Sequence, residues 1–332
     1  MPKVSIVLPN YNYARYLDER IQSLINQTYK DFELIILDDA SSDNSLEIIN
    51  KYTGDPRVKT KFYSENSGLP YKRWNDGANL AQGEYLLIAG ADDTCHPTLL
   101  EKLVEKLDNN PSVGIVFCQS WEVDSDGKII RSMKEWTDDL NQERWAEDFV
   151  DNGKNEYQYL LFKNTIPNAS AVLMRYRIFS ESGKFDPQIR LTADWMLWAK
   201  MLLISDIAFV AEPLNNFRTH QNTVRSTTKV GLFIEESSKT IRCITQNTQV
   251  QQKTLEKAAD HIISPWLDIY YSHIEFSQNT RIYKILLDTF PKTNYYILRK
   301  ILEKPRLLKK VVKNIITAKL PILQKKLKEY TS

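Results

Sequence analysis

Over the first 120 residues, the chain alternates short apolar, β-branched runs with stretches in which apolar residues recur every three or four positions. The first pattern is typical of buried strands and the second of amphipathic helices. Predicted strands cover residues 3–8, 32–37, 58–63, 85–89 and 113–123, and predicted helices cover 14–27, 44–51, 71–81 and 97–109. This alternation predicts an α/β fold with a mostly parallel central sheet flanked by helices.

The pattern changes further along the chain. Residues 135–165 are charged and contain Trp136 and Trp145, which we interpret as a helical excursion or lid. A return to a packed core is predicted by strands at 171–175 and 207–210 and a helix at 193–203. After about residue 226 strand signals nearly vanish, and we predict helices broken at Pro265, Pro291, Pro305 and Pro321. We therefore expect two domains, residues 1–225 and a helical C-terminal region, 226–332.

Polar residues follow three of the predicted strands, at positions 10–13, 38–43 and 91–94. In sheets of this kind, ligands bind beyond the carboxyl ends of the strands. The three segments are therefore expected to converge on one crevice.

The crevice lacks the common phosphate-binding loops. The sequence PNYNYARYL, not G-x-G-x-x-G, follows the first strand, and G-x-x-x-x-G-K-[ST] occurs nowhere. Asp92 and Asp93, in LLIAGADDTCHP, have no Lys or Arg beside them and suit a hard divalent cation such as Mg²⁺ or Mn²⁺. The alternative is a solvated turn that caps the helix beginning near Pro97.

Asp38 and Asp39 form a second carboxylate pair at a strand end. They suit either a turn with a helix cap or a carboxylate that accepts an N–H from a pyrimidine ring. Tyr11, at the neighbouring strand end, suits either stacking on that ring or an ordinary half-buried position. The residues alone leave both alternatives open.

Two blocks together resemble a known family. In order and spacing, VSIVLPNYNYARYLDERIQSLINQTYKDFELIILDDASSDNS and NSGLPYKRWNDGANLAQGEYLLIAGADD closely resemble the N-terminal half of family 2 glycosyltransferases. The resemblance spans about residues 1–225. It implies the GT-A fold, inverting transfer, a nucleotide-diphosphate sugar donor and a divalent metal, Mn²⁺ or Mg²⁺.

The resemblance assigns residues on the donor side. Pro9 and Tyr11 match the base-binding first loop, and Asp39 matches the carboxylate that reads the base. Asp92 corresponds to the residue near the ribose, and Asp93 corresponds to the usual metal ligand.

Two later blocks extend the resemblance. In LTADWMLWAKM, Ala193 replaces the usual Glu, and Asp194 corresponds to the catalytic base. A carboxylate at this helix start would also be stabilised, and kept ionised, by the helix macrodipole. FRTHQNT resembles the segment in which Arg218 would hold the diphosphate and His220 would be a second metal ligand.

The functional assignment of two segments stays open. Lys72 and Arg73 are near the position at which relatives carry Arg-Asn, and they face either the diphosphate or solvent. The loop PNAS, residues 167–170, matches an acceptor-side loop that often contains Gly. Because glycine is absent here, no residue of this loop is assigned.

Composition limits the compartment. Cys95, Cys118 and Cys243 are far apart, which disfavours a zinc site or a disulfide framework. The N-terminus lacks a signal-peptide pattern, and no apolar run reaches the length of about 18 residues that is typical of a spanning helix. We expect a cytoplasmic protein, peripheral on the inner face of the membrane if its tail docks there.

The charge is concentrated at the C-terminus. Residues 304–332 carry nine Lys or Arg and one acidic residue, a net +8, so the total of +2 leaves −6 on the preceding residues. In RLLKKVVKNIITAKL, apolar pairs alternate with Lys, which predicts an amphipathic basic helix. This helix either docks on an anionic leaflet or packs on the body. Nucleic acid is not an expected partner, because no recognition module accompanies the tail.

We therefore expect an inverting, metal-dependent hexosyltransferase. It would move a sugar from a nucleotide-diphosphate sugar, UDP by family frequency, to a saccharide or lipid-linked saccharide hydroxyl in surface polysaccharide biosynthesis. One alternative is a nucleotidyltransferase of related fold, which should carry a basic Gly-rich loop that this chain lacks. The other is a non-catalytic sugar-nucleotide-binding assembly protein, which would not need Asp39, Asp93 and Asp194 together.

Overall fold

The structure, a computed structural model, describes residues 1–220, 230–270, 276–304 and 308–309. The chain divides into two compact units, residues 1–228 and 229–332, and each is described by itself. The predicted boundary between residues 225 and 226 lies outside the described residues, as do Pro305, Pro321 and most of the basic tail. Docking of that tail on a membrane stays a prediction.

The first unit is built on one ten-stranded sheet. Its strands are β1 (Val4–Asn10), β2 (Phe32–Asp38), β3 (Val58–Phe62), β4 (Tyr85–Ile88), β5 (Thr94–Cys95), β6 (Val113–Val123), β7 (Ile129–Ser132), β8 (Phe149–Asp151), β9 (Val172–Arg175) and β10 (Asp206–Arg218). The order is β3-β2-β1-β4-β9-β6-β10-β5, with β7 paired to β6 and β8 to β10. Strands β1 to β4, β6 and β10 run in one direction, and β5, β7, β8 and β9 run against them.

Helices cover the sheet and explain its apolar strands. They are α1 (Ala14–Ile25), α2 (Ser45–Asn50), α3 (Pro70–Leu80), α4 (Leu99–Asn109), α5 (Gly153–Leu160), α6 (Tyr176–Glu181) and α7 (Ala193–Met201). Strands buried on both faces are near-continuous apolar runs, as in β1 and β2. Leu17 of α1 and Leu103 of α4 belong to one core cluster with Ile6. The α3 helix approaches β1 closely at Gly77, because a Cβ there would lie 2.2 Å from a methyl carbon of Val7.

The predicted elements up to residue 123 are present within two residues at each end, and the short strand β5 was not predicted. The segment 135–165 is less helical than expected. It contains β8 and α5, and a 3₁₀ helix, Met133–Trp136, overlaps its start. The strand predicted at 207–210 is longer than expected, since β10 continues past Pro213 to Arg218. Its pairing with β6 has an irregular register around Pro213.

The second unit is helical over its described residues. Its helices are α8 (Val230–Asn247), α9 (Gln252–Ile269), α10 (Phe276–Thr289) and α11 (Thr293–Glu303). Pro291 separates α10 from α11 as expected, but the predicted break at Pro265 is wrong because α9 continues through it. The buried side chains Ile262 and Trp266 on either side of Pro265 hold the helix in the core despite the missing N–H. Within the described residues, no helix combines the length and apolar character needed to cross a membrane.

The close approach of α3 to β1 predicts a stability effect. Gly77→Ala should lower the free energy of unfolding by about 1–3 kcal/mol, because the new methyl group would overlap Val7 and Leu37. Gly54→Ala is the matched control, since a Cβ at Gly54 meets nothing within 4 Å. The control should leave stability unchanged or raise it by up to about 1 kcal/mol. Urea unfolding of both variants measures the difference, and equal effects would contradict the close packing.

Candidate active site

The polar segments predicted to converge do meet at one edge of the sheet. The backbone N–H of Asp39, after β2, donates to the carbonyl of Asn10 at the end of β1 (2.8 Å). The backbone N–H of Arg218, at the end of β10, donates to Oδ1 of Asp93 (2.9 Å). The ends of β1, β2 and β10 and the segment after β4 thus form one crevice.

The two aspartates after β2 have different environments. Asp38 is buried and accepts hydrogen bonds from Asn10 Nδ2 (2.7 Å) and from the backbone N–H of Ser41 (2.9 Å), so it braces the loop. Asp39 accepts from the hydroxyl of Ser67 (2.6 Å) and from Nε of Arg73 (2.5 Å).

Arg73 is buried, which excludes the solvent-facing alternative, and its contact with a diphosphate stays a prediction. Besides Asp39, its guanidinium contacts Asp76 Oδ2 (2.9 Å) and the carbonyl of Glu65 (3.1 Å). It also lies 3.3 Å from the ring centroid of Tyr63. Arg73 therefore holds the Asp39 carboxylate in place. This role was not predicted, because helical periodicity around Arg73 does not identify a partner 34 positions earlier.

The loop after β1 exposes an aromatic ring. Tyr11 is 45% exposed, whereas Pro9 is half-buried within β1 and pairs with Leu37. Asn12 next to it has a φ of 60°, a left-handed conformation that costs energy in most residues. The side chain of Asn12 accepts from the backbone N–H of Ser42 (2.7 Å). This bond fixes the loop that carries Tyr11 against the loop that follows Asp39.

Asp92 is the more accessible member of the second pair. Its Oδ2 lies 3.1 Å from Nε2 of His220. The His220 ring packs against Tyr13 and Tyr16, with ring centroids 5.8 and 5.2 Å apart. His220 thus lies beside Asp92, and its predicted role as a metal ligand stays a prediction.

Asp93 is almost fully buried at 3% exposure. Burial, with the negative charge of Asp92 as a second cause, raises the pKa of Asp93 to about 7. The charge of Arg20, the nearby Ser170 hydroxyl and the hydrogen bond from the Arg218 N–H act in the opposite direction without offsetting burial. Asp93 therefore keeps its proton to a higher pH than an ordinary Asp, because the positive charge nearby does not offset burial.

Arg20 was not anticipated as part of this site. It lies on the buried face of α1, fully buried, and its guanidinium nitrogens have no carboxylate or carbonyl partner. Its positive charge acts on both Asp93 and Cys95. The sequence feature that could have identified Arg20 is its position within the apolar stripe of Leu17, Ile21 and Leu24. A buried charge is costly unless a nearby group of opposite charge compensates it.

Arg218 is buried and its guanidinium is already engaged. It donates to the carbonyls of Asp92 (2.7 Å) and Ser125 (3.2 Å) and to Oε2 of Glu19 (2.8 Å). These bonds join the end of β10 to α1 and to the hairpin between β6 and β7. The predicted contact of Arg218 with a diphosphate stays a prediction, and in the observed geometry Arg218 braces the backbone of the aspartate pair.

Asp194 lies in the first turn of α7, as predicted. Its Oδ2 accepts from Nδ2 of Asn164 (3.2 Å). Asn164 begins the loop that ends at Ser170, and the Ser170 hydroxyl accepts from the backbone N–H of Gly90 (2.8 Å). One seven-residue segment, 164–170, therefore contacts Asp194 and the loop that carries Asp92 and Asp93.

These residues fit a hard divalent cation whose coordination shell is completed by substrate oxygens. Among the described residues, no three His, Cys, Asp or Glu side chains are arranged to hold a metal by themselves. Mg²⁺ is commonly bound by one or two carboxylates together with substrate phosphates. The buried Asp93 and the adjacent Asp92 supply such carboxylates, and a cation bound between them would favour the ionised form of Asp93.

With this geometry established, comparison with known proteins decides the family. Residues 5–183 match the family described as Glycosyl transferase family 2. The chain belongs to glycosyl transferase family 2. It is 30% identical over 229 residues to an uncharacterized glycosyltransferase of Rickettsia typhi, covering 68% of this chain and 67% of that protein. A glycosyltransferase of Haemophilus influenzae is also 30% identical, over 68% of each chain.

Solved structures confirm the fold of this family 2 glycosyltransferase. S. aureus TarS 1–349 in complex with UDP-GlcNAc superimposes with a TM-score of 0.65 at 15% identity, covering 90% of this chain and 89% of that one. The mannosyltransferase PcManGT from Pyrobaculum calidifontis, in complex with GDP-Man and Mn²⁺, gives 0.55 at 13% identity, covering 95% and 87%. The predicted family and the predicted GT-A fold are confirmed.

The buried carboxylate predicts a pH effect on stability. The raised pKa of Asp93 makes the folded state bind more protons than the unfolded state between about pH 4 and 7, so stability falls as pH rises through that window. Asp93→Asn removes the ionisable group. The melting temperature of this variant should therefore exceed that of the wild type by several degrees more at pH 8 than at pH 5. Thermal unfolding of the metal-free protein in a chelator measures this.

Asp126→Asn is the control, because the Asp126 side chain is 64% exposed and should show no such pH-dependent gain. A difference between Asp93→Asn and wild type that is the same at both pH values would contradict the assigned burial of charge.

Proposed function

We propose that this glycosyltransferase is an inverting enzyme that moves a hexose from a UDP-sugar to a hydroxyl of a saccharide acceptor. The observation that carries the proposal is the segment 164–170, which contacts Asp194 at one end and, through Ser170, the backbone of Gly90 in the aspartate loop at the other. This segment would connect a base for the acceptor to the loop whose carboxylates serve the leaving diphosphate.

Donor recognition rests on the first two strand ends. The Asp39 carboxylate, oriented by Arg73 and Ser67, would accept the ring N–H of uracil, and the exposed ring of Tyr11 would stack on the base. Asp92 would contact the ribose. TarS has been solved with UDP-GlcNAc and PcManGT with GDP-Man, so a guanine donor is the alternative to test.

A divalent cation, Mn²⁺ or Mg²⁺, is part of this proposal. Asp93 would hold it, with Asp92 and His220 beside it, and the mannosyltransferase solved with Mn²⁺ supports a metal in this fold. When bound, such a cation neutralises negative charge that develops on a departing diphosphate.

Asp194 would act as the base. It takes the proton of the acceptor hydroxyl as that oxygen bonds to the anomeric carbon, while the bond from this carbon to the diphosphate breaks. Attack from the face opposite the leaving group inverts the anomeric centre. The hydrogen bond from Asn164 Nδ2 orients the Asp194 carboxylate through Oδ2. Because an amide donor does not transfer its proton, Asp194 remains able to accept the proton of the acceptor hydroxyl.

The acceptor is proposed to be a growing surface polysaccharide on a lipid carrier, with the enzyme on the inner face of the membrane. Membership of glycosyl transferase family 2 argues against a nucleotidyltransferase. The retained carboxylates Asp39, Asp93 and Asp194 argue against a non-catalytic assembly protein.

A ligand screen tests the donor and the metal. A UDP-sugar should raise the melting temperature in the presence of Mn²⁺, since a ligand at 100 times its Kd adds about 2.7 kcal/mol to the stability of the folded state. The shift should be much smaller with a chelator, and Asp93→Asn should lose the metal-dependent part. Thermal shifts with UDP-, dTDP- and GDP-sugars measure this. A shift that is identical with and without Mn²⁺ would remove the metal from the proposal.

Substitution of the base separates binding from chemistry. Asp194→Asn should keep the UDP-sugar affinity within about twofold but lower the rate of transfer by about 10²–10⁴, because proton removal is lost. Calorimetry gives the affinity, and nucleotide release in the presence of acceptor gives the rate. Asp288→Asn, whose side chain is 61% exposed on α10, is the control and should match the wild type. Full transfer by Asp194→Asn would exclude it as the base.

A further inference from the structure

Helix α3 contacts both sides of the crevice. Arg73 of this helix donates to Asp39 on the proposed donor side. Two other residues of α3, Tyr71 and Asn75, donate hydrogen bonds to the backbone of residues 185–191, the segment that leads into α7. Because Tyr71 and Asn75 are four positions apart, they lie on one face of the helix.

Asn75 holds the beginning of the 185–191 segment through both of its amide atoms. Its Nδ2 donates to the carbonyl of Phe185 (2.7 Å), and its Oδ1 accepts from the backbone N–H of the same residue (3.2 Å). Phe185 is buried, so its backbone groups need partners within the protein. The two bonds together fix both the position and the direction of the chain at Phe185.

The ring of Phe185 adds a second attachment. The ring centroids of Tyr71 and Trp74 lie 5.8 and 5.0 Å from that of Phe185. The ring of Trp198, in α7, lies 6.4 Å from the same ring. Aromatic pairs at these separations attract each other beyond the effect of burial alone. Phe185 therefore ties α3 to the helix that carries Asp194.

Tyr71 holds the end of the 185–191 segment. Its hydroxyl donates to the carbonyl of Leu191 (3.2 Å). Leu191 directly precedes Thr192, the N-cap residue of α7, and Asp194 follows in the first turn of that helix. A shift of the backbone at Leu191 would therefore move the start of α7 and the Asp194 carboxylate with it.

We propose that Tyr71 and Asn75 are positioning residues for Asp194. By holding the 185–191 segment, they fix the start of α7 relative to the helix that orients the donor-side carboxylate. Reacting atoms must lie about 3–3.5 Å apart, and a misplacement of about 1 Å can cost about 10²-fold in rate. Loss of either contact therefore lowers the rate of proton removal and leaves donor binding intact. This inference rests on the proposed function, since Asp194 must be the base for its position to set the rate.

Hydrolysis of the donor tests the inference with a defined acceptor, because water takes the place of the sugar hydroxyl. UDP release is measured on the full chain with Mn²⁺ and saturating UDP-glucose, UDP-galactose or their N-acetylated forms. Tyr71→Phe, which removes only a hydroxyl, should lower the rate by about tenfold, while the Kd for UDP from calorimetry stays within about twofold. Asn75→Asp keeps the acceptor for the Phe185 N–H but turns an oxygen toward the Phe185 carbonyl, so its rate should fall further.

Tyr283→Phe is the matched control. It also removes one hydroxyl that donates a hydrogen bond, to Asn294 (2.8 Å), but it lies in α10 and should match the wild type. A fall in UDP affinity as large as the fall in rate, in both Tyr71→Phe and Asn75→Asp, would overturn the positioning role.

Hydrogen exchange adds a readout that needs no substrate. Amide exchange of residues 185–196 should be faster by about tenfold in Tyr71→Phe and Asn75→Asp than in the wild type, because the segment loses a contact with α3. Unchanged exchange there in both variants would show that these contacts do not hold the segment, and would also overturn the inference.

A double-mutant cycle separates positioning from general structural damage. In the Asp194→Asn background no base remains to be misplaced, so adding Tyr71→Phe should change the residual rate by less than about twofold. An additive tenfold loss in that background would contradict a role that acts through Asp194.

Failure of this inference and failure of the proposed function give different results. Full UDP release by Asp194→Asn would refute the proposed base. A slow Asp194→Asn variant, together with a Tyr71→Phe variant at the wild-type rate, would leave the base in place and overturn this inference alone.

Discussion

The contact between the end of β10 and the aspartate pair holds the crevice together. The backbone N–H of Arg218 donates to Asp93, and its guanidinium donates to the carbonyl of Asp92 and to Glu19. Asp93 and Arg218 are 125 positions apart in the chain, so the pair is placed only when β10 completes the sheet. The strand reaches Asp93 only because it continues past Pro213. The irregular register of β10 against β6 around Pro213 is therefore needed to form the site.

At this contact, ionisation of Asp93 is made unfavourable by burial. Asp93 is buried beside Asp92, and neither Arg20 nor the hydrogen bonds from its neighbours offset the cost of burial. Perturbed groups of this kind are concentrated at functional sites, where charge is needed for a ligand rather than for stability. A carboxylate that lacks a counter-charge in the protein is suited to a cation that arrives with a diphosphate, and Arg20 limits the cost when no cation is bound.

The two sides of the crevice are organised differently. On the side of Asp39, the network of Arg73, Asp76 and Tyr63 fixes one carboxylate rigidly, as recognition of a planar base requires. On the side of Asp194, the segment 164–170 contributes single contacts. In the proposed function, the Asp39 side binds the donor and the Asp194 side binds the acceptor, so acceptor specificity could change without disturbing nucleotide recognition.

Apart from the two-residue strand β5, the sequence by itself determined the strands and helices up to residue 123, the family and the position of the aspartate pair, because periodicity and short motifs are local properties. It did not determine that Arg73 is buried against Asp39 or that α9 continues through Pro265. These outcomes depend on which distant side chain meets each residue, and hydrophobic periodicity shows only that a face is buried. Only the tertiary structure decided the partners, since packing free energy outweighs local preference wherever strands and helices from distant parts of the chain come together.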